Sequence, residues 1–174
     1  RREGREHFLS FNPKPLDELR DRYPGAVLFG CSTAGEVVET SVSDGGLVAT
    51  ALEFNSTTVR LAVSSVDQDA SATGARLAES LAGEGLRHVV ILSDGLLVNG
   101  SRLVDGVTSM LPRHVAVTGG LAADGTAFKK TLVLADRRVE SGIVAAVGFY
   151  GSAFRVSYAS LGGWDSFGPE RIVT

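Results

Sequence analysis

Two glycine-rich segments hold the residues of this sequence that are best suited to bind a small molecule. Glycine lets a ligand approach the backbone closely, while hydroxyl and carboxylate groups supply hydrogen bonds and charge. The segments are Gly30-Cys-Ser-Thr-Ala-Gly-Glu36 and Thr118-Gly-Gly-Leu-Ala-Ala-Asp124. They predict a site lined by Gly30, Cys31, Ser32, Thr33, Ala34, Gly35 and Glu36 of the first loop and by Thr118, Gly119, Gly120 and Asp124 of the second.

A third segment, Ser93-Asp94, ends an apolar stretch and is expected at the same end of the sheet as the two loops. Ser93 and Asp94 therefore join the predicted ligand-binding residues. The Asp94 carboxylate either binds a ligand amine or caps the backbone that follows it, and the sequence leaves both roles open. The loop glycines also have a purely structural interpretation, in which they permit a sharp turn between sheet layers.

These residues give little evidence for catalysis, and no catalytic residue is predicted. Neither loop matches the glycine patterns of nucleotide-binding loops. Cys31 ends a strand, as a nucleophile can, but it would need a base such as histidine. The three histidines, His7, His88 and His114, all precede apolar strands and are expected at the surface, at the end opposite the loops. Cys31 is therefore interpreted as a small buried hydrophobic residue.

Metals and other cofactors are not predicted either, since the acidic residues lack the spacing of a metal site. The composition excludes several further classes of protein. The net charge is −3 and the basic residues are not clustered, which argues against a nucleic-acid or membrane-surface partner. The single cysteine allows no internal disulfide and fits a cytoplasmic protein. Both ends of the sequence look cut, which suggests a fragment of a longer chain.

Apolar runs and alternation predict strands separated by three helices. The helices are expected at Leu16–Tyr23, Ser71–Gly83 and Gly100–Leu111. The strands are expected at His7–Phe11, Ala26–Cys31, Gly46–Phe54, Thr57–Val66, His88–Ser93, Val115–Thr118, Thr131–Asp136, Gly142–Tyr150 and Phe154–Leu161.

The order of these elements repeats along the chain. A strand, a helix, a strand, a glycine loop and a hairpin occur first over about residues 7–66 and again over about 88–161, joined by helix 71–83. Such a repeat predicts an α/β (α+β) fold, a layered α/β sandwich with pseudo-twofold symmetry that brings the two loops together. Ligand pockets favour such junctions.

The string Gly30-Cys-Ser-Thr-Ala-Gly-Glu-Val37 resembles the FIST family of sensory domains, and Thr118–Asp124 is similar to the family's second glycine motif. Ala123 replaces a glycine that is common there. Residues 163–174 resemble the family's junction with its C-terminal domain. The resemblance implies a FIST N-terminal domain over 1–161 and a linker over 162–174 toward an absent C-terminal FIST domain. It also implies a cytoplasmic sensor of small ligands such as amino acids, coupled to signalling partner proteins.

Three functional hypotheses follow for this chain. The first is a small-ligand sensory domain without enzymatic activity, possessing the paired loops as its binding site. The second is a thiol-dependent hydrolase or amidase that uses Cys31. The third is a scaffold or dimerisation module that binds no ligand.

Overall fold

The computed structural model describes residues 14–159, which form three helices and nine strands. The helices are α1 (Lys14–Arg22), α2 (Ala70–Leu81) and α3 (Gly100–Met110). The strands are β1 (Phe29–Cys31), β2 (Glu36–Val38), β3 (Ser41–Ser43), β4 (Thr58–Ser65), β5 (Leu86–Ser93), β6 (Ala116–Leu121), β7 (Val133–Ala135), β8 (Arg138–Glu140) and β9 (Ile143–Tyr150).

The largest sheet has four strands in the order β4-β9-β5-β6. Strand β9 runs antiparallel to both of its neighbours, whereas β5 and β6 are parallel and are connected by helix α3. Nearly all of β9 is buried, which explains why its sequence is a continuous apolar run rather than an alternating one. Strand β6 lies at one edge of this sheet, so its outer side has no strand partner within residues 14–159.

Helices α2 and α3 cover one face of this sheet and form the main core with it. Each helix begins at a side-chain cap, since Asp69 accepts from the Ser71 N–H and Asn99 accepts from the Arg102 N–H. The apolar stripes of both helices pack on β5 and β9 through residues such as Leu77, Leu81, Leu103, Val107, Val89, Ile91 and Val144.

A small three-stranded sheet, β1-β7-β8, packs on the other face of the large sheet. Its residues form a second core with β9 that includes Val133, Ala135, Ile143 and Ala145. Helix α1 is tied to this layer because the Arg20 guanidinium donates to the Asp136 carbonyl oxygen at 2.7 Å. The arrangement of helices, large sheet and small sheet confirms the expected α+β fold.

The structure corrects some of the predicted elements. Residues 46–54 form no strand, since no strand within 14–159 pairs with them and a strand needs such a partner to satisfy its backbone groups. Residues 154–159 form no strand either, and 160–161 lie outside the described residues, as does His7–Phe11. The predicted strand Ala26–Cys31 shortens to β1. The internal duplication stays a prediction.

Candidate functional site

The two glycine loops contact each other directly. The Ser32 carbonyl oxygen accepts a hydrogen bond from the Ala123 N–H at 2.9 Å. The Ser32 N–H donates to the Leu132 carbonyl at 2.9 Å, and the Leu132 N–H donates to the Ser32 hydroxyl oxygen at 3.0 Å. The end of β1 and the residues after β6 therefore form one junction, although they lie about ninety residues apart in sequence.

The first loop is organised around the Glu36 carboxylate. The Thr33 hydroxyl donates to Glu36 Oε1 at 2.8 Å, and the Gly46 N–H donates to Oε2 at 3.0 Å. These two hydrogen bonds hold the pKa of Glu36 below its usual value, so the side chain is ionised at neutral pH. Each carboxylate oxygen still has a lone pair for a further donor. Ala34 beside it is exposed, and Gly35 forms the turn between Thr33 and Glu36.

The Asp124 carboxylate of the second loop is bonded to three local backbone groups. It accepts hydrogen bonds from the N–H groups of Phe128 at 3.0 Å, Lys129 at 2.6 Å and Lys130 at 2.9 Å. The hydrogen bonds from Lys130 and Lys129 are the main reason that the pKa of Asp124 lies below its usual value. Asp124 therefore shapes the loop that leads to β7.

Asp94 caps the backbone that follows it. Its carboxylate is buried and accepts from the N–H groups of Leu96 at 2.9 Å, Leu97 at 3.0 Å and Gly142 at 2.8 Å. Burial by itself would raise the pKa of Asp94, but these hydrogen bonds and one from Thr131 hold it below its usual value. Ser93 is also buried, and its hydroxyl donates to the Asp94 carbonyl oxygen. The structure thus shows the capping role, one of the two that the sequence left open.

The glycines of the two loops differ in what the fold requires of them. Gly119 has a φ of +158°, and a Cβ there would lie 2.0 Å from the Ile91 carbonyl oxygen, so the structure admits no side chain. Gly30 would place a Cβ at ordinary contact distance from the Leu134 side chain. Gly120 is exposed, has no positive φ, and would place a Cβ in open space. The fold of residues 14–159 therefore gives no reason for glycine at position 120.

Thr118 contacts a histidine that the sequence analysis placed at the surface. His88 lies within β5 and is only 3% exposed, and its Nε2 is 3.0 Å from the Thr118 hydroxyl. Its ring packs near Phe149 and Phe154, which stack on each other with centroids 5.0 Å apart. Burial lowers the pKa of His88, which favours the neutral ring. The prediction of a surface position for His88 was wrong because the strand begins two residues earlier, at Leu86.

Cys31 lies at the end of β1 and is half-buried against the second core. Burial raises the pKa of its thiol, which disfavours the thiolate that a nucleophile needs. None of the hydrogen bonds of residues 14–159 joins this thiol to a histidine.

Alkylation of Cys31 is expected to be slow. Because the thiol is partly buried and stays protonated at neutral pH, iodoacetamide should label it at least about tenfold more slowly than free cysteine. The rate can be followed by intact mass at pH 7.5, with the urea-unfolded chain as the control for full reactivity. Labelling faster than that of free cysteine would support the thiol-hydrolase hypothesis instead.

The junction of the loops is a surface site. The two best-formed concavities in the described part of the chain, one of about 650 Å³ beside α1 and one at the end of α3, are not lined by loop residues. The same part of the chain contains no cluster of His, Cys, Asp and Glu that could hold a metal ion. Among its helices, none combines the length and apolar character needed to cross a bilayer.

A comparison with protein families gives a match to the FIST N domain over residues 7–174. FIST domains are sensory domains of signal-transduction proteins. No curated protein matches the chain. The matched region contains both glycine loops, all the described elements and the segments on either side of them. The chain therefore belongs to the FIST N domain family.

Proposed function

We propose that this chain is a sensory domain that binds a small polar ligand, an amino acid or a related metabolite, at the junction of the two glycine loops. The observation that carries the proposal is Gly120. Its missing side chain leaves open space beside exposed backbone, and nothing in the described fold requires that space. A glycine in this position, beside a second polar loop, leaves room for a molecule to come close to the backbone.

The groups around this junction suit an α-amino acid. The ionised Glu36 carboxylate retains lone pairs that can accept from a ligand ammonium group. Backbone N–H groups of a glycine-rich segment can in turn bind a ligand carboxylate. The other two carboxylates, Asp94 and Asp124, already serve the fold, so recognition of an ammonium group would depend mainly on Glu36.

A non-catalytic role is part of the same proposal. A nucleophile needs an activating base or a lowered pKa, whereas the pKa of the Cys31 thiol is raised. The Ser93 hydroxyl is buried and bonded to the backbone. The domain would therefore report on a cytoplasmic ligand and pass the signal to a C-terminal FIST domain and to signalling partner proteins.

Binding of an amino acid is expected to raise the melting temperature of the chain. A ligand present at one hundred times its dissociation constant stabilises a folded protein by about 2.7 kcal/mol. For a domain of this size that corresponds to a shift of roughly 5–10 °C. Differential scanning fluorimetry against the twenty amino acids, each at 10 mM as an order-of-magnitude screening concentration, measures this shift.

Gly120→Val tests the location of the site. A Cβ there meets no atom of the fold within 4 Å, so the unliganded melting temperature should stay unchanged while the ligand-induced shift disappears. Gly25→Val is the matched control, since Gly25 also faces open space but lies in the turn after α1, where it lines the separate concavity beside that helix. If no amino acid shifts the melting temperature, the proposed ligand class is wrong. If Gly120→Val keeps the full shift, the proposed location is wrong.

A further inference from the structure

We infer that the free outer edge of β6 is a docking surface for the β2–β3 hairpin of the same chain. Within residues 14–159 this edge has no strand partner, so it presents outward backbone N–H and C=O groups beside the exposed residues Gly119 to Leu121. The hairpin stands alone as a two-stranded sheet in the structure. The docking itself needs no ligand, but it would bring the hairpin to Gly120, the residue that the proposed function assigns to ligand binding, so the two proposals are tested by separate experiments.

The isolated β2–β3 hairpin is expected to be unstable. A two-stranded sheet by itself is marginally stable in water. Three of its six strand residues are valines with large exposed fractions, which are 64% for Val37, 50% for Val38 and 73% for Val42. Docking would give the edge strand β6 a partner, which it lacks within residues 14–159. The same contact would cover the exposed valines of the hairpin.

The second half of the chain shows how such a contact is made. There the hairpin β7–β8 also follows a glycine loop, and β7 pairs antiparallel with β1. The two hairpins share their turn geometry. Both have a two-residue loop whose first residue has a positive φ, 54° at Glu39 and 53° at Asp136. Each hairpin is then followed by a glycine with a positive φ, Gly45 at 75° and Gly142 at 71°. The hairpin β2–β3 is therefore the counterpart of β7–β8, and β6 is the counterpart of β1.

This correspondence fixes the register of the docked hairpin. Cys31 pairs with Val133 and Gly30 pairs with Leu134. Cys31 corresponds to Gly120, the residue after the loop glycine, and Val133 corresponds to Glu36, the first residue of the hairpin. The docked strand β2 thus places Glu36 opposite Gly120 and Val37 opposite Gly119.

The connection to the hairpin is long enough for this register. Ser32 is bound to Ala123, and three residues separate Ser32 from Glu36. An extended connection of that length spans about 13 Å, whereas Gly120 lies at most about 10 Å along the chain from Ala123. No change in the large sheet is needed, because the outer edge of β6 is unpaired.

A disulfide trap tests the docking and its register. In a Cys31→Ala background, Glu36→Cys with Gly120→Cys is expected to form an intramolecular disulfide in the folded chain, detected by the loss of both free thiols in a monomer. Ser43→Cys with Gly120→Cys is the matched control. Ser43 pairs with Glu36 on β3, so docking through β2 leaves it about 10 Å from β6, which is too far for a disulfide.

Hydrogen exchange of the unmodified chain measures whether the docked state predominates. Peptides covering residues 36–43 should exchange at least about 100-fold more slowly than an unstructured peptide, which an isolated hairpin does not achieve. The inference would be overturned if Ser43→Cys formed a disulfide with Gly120→Cys, or if disulfides formed only between two chains. It would also be overturned if the hairpin amides exchanged as fast as those of an unstructured peptide.

Discussion

Replacing Asp94 by alanine is expected to lower the free energy of unfolding by about 4 kcal/mol, because three backbone N–H groups lose their charged acceptor. The side chain is buried, so water cannot replace the carboxylate without opening the loop. The loss is large because the same carboxylate joins the end of β5 to the start of β9. Urea denaturation followed by circular dichroism measures the change.

Two further variants separate the causes of this loss. Asp94→Asn keeps one acceptor oxygen, so it should lose about half as much stability as Asp94→Ala. Asp105→Ala removes an exposed carboxylate on α3 and should change the stability by less than about 0.5 kcal/mol. An unchanged urea midpoint for Asp94→Ala would show that the carboxylate does not hold these amides.

The same carboxylate makes a specific contribution to the pH dependence of stability. The pKa of Asp94 is lower in the folded chain than its usual value. Its contribution is therefore complete above the unfolded pKa of about 3.9 and is lost as the pH falls through the folded pKa. The stability difference between the wild type and Asp94→Asn should stay constant from pH 5 to 8 and narrow below about pH 4. Urea midpoints across this range provide the check, and a difference that persists at the lowest pH would contradict the assignment.

Elements with local signals could be predicted from the sequence almost to the residue. Helix α2 follows the cap Asp69 and carries an apolar stripe, and its expected start at Ser71 is one residue from the observed one. Strand β9 is a long apolar run and β4 mixes apolar with polar residues, and both were placed within one residue at each end. By contrast, the segment 46–54 has the composition of a strand but no partner, which a local pattern does not reveal.

The sequence predicted the meeting of the two loops better than it predicted which of their side chains are already bonded within the fold. The repeat brought the two loops together, and the hydrogen bond between Ser32 and Ala123 joins them. Asp94 and Asp124 accept hydrogen bonds from backbone groups, and Thr118 contacts the His88 ring. These contacts depend on how the chain folds, so residue type alone did not show them. His88 was missed as a buried group, although Leu86 two residues earlier could have shown that the strand begins before it.

Replacing Gly106 by alanine is expected to lower the free energy of unfolding by about 3 kcal/mol, even though alanine favours a helix by about 1 kcal/mol over glycine. A Cβ at Gly106 would lie 2.0 Å from the Ser71 carbonyl oxygen of the neighbouring helix. The helices α2 and α3 must then move apart by more than an ångström, which opens the packing of Leu77 against Leu103 and Val107. Thermal denaturation of the variant measures the loss, with Gly25→Ala as a control that meets no atom.

Gly74 on α2 lies against α3 in the same way that Gly106 on α3 lies against α2, so a double variant gives a stricter test. A Cβ there would lie 2.2 Å from the Leu103 carbonyl oxygen, so Gly74→Ala should separate the same pair of helices. Once one alanine has moved the helices apart, the second meets less resistance. The double variant should therefore lose clearly less stability than the sum of the two single losses. Additive losses would mean that each glycine is needed for a local reason, and losses below about 0.5 kcal/mol would mean that the helix pair adapts without cost.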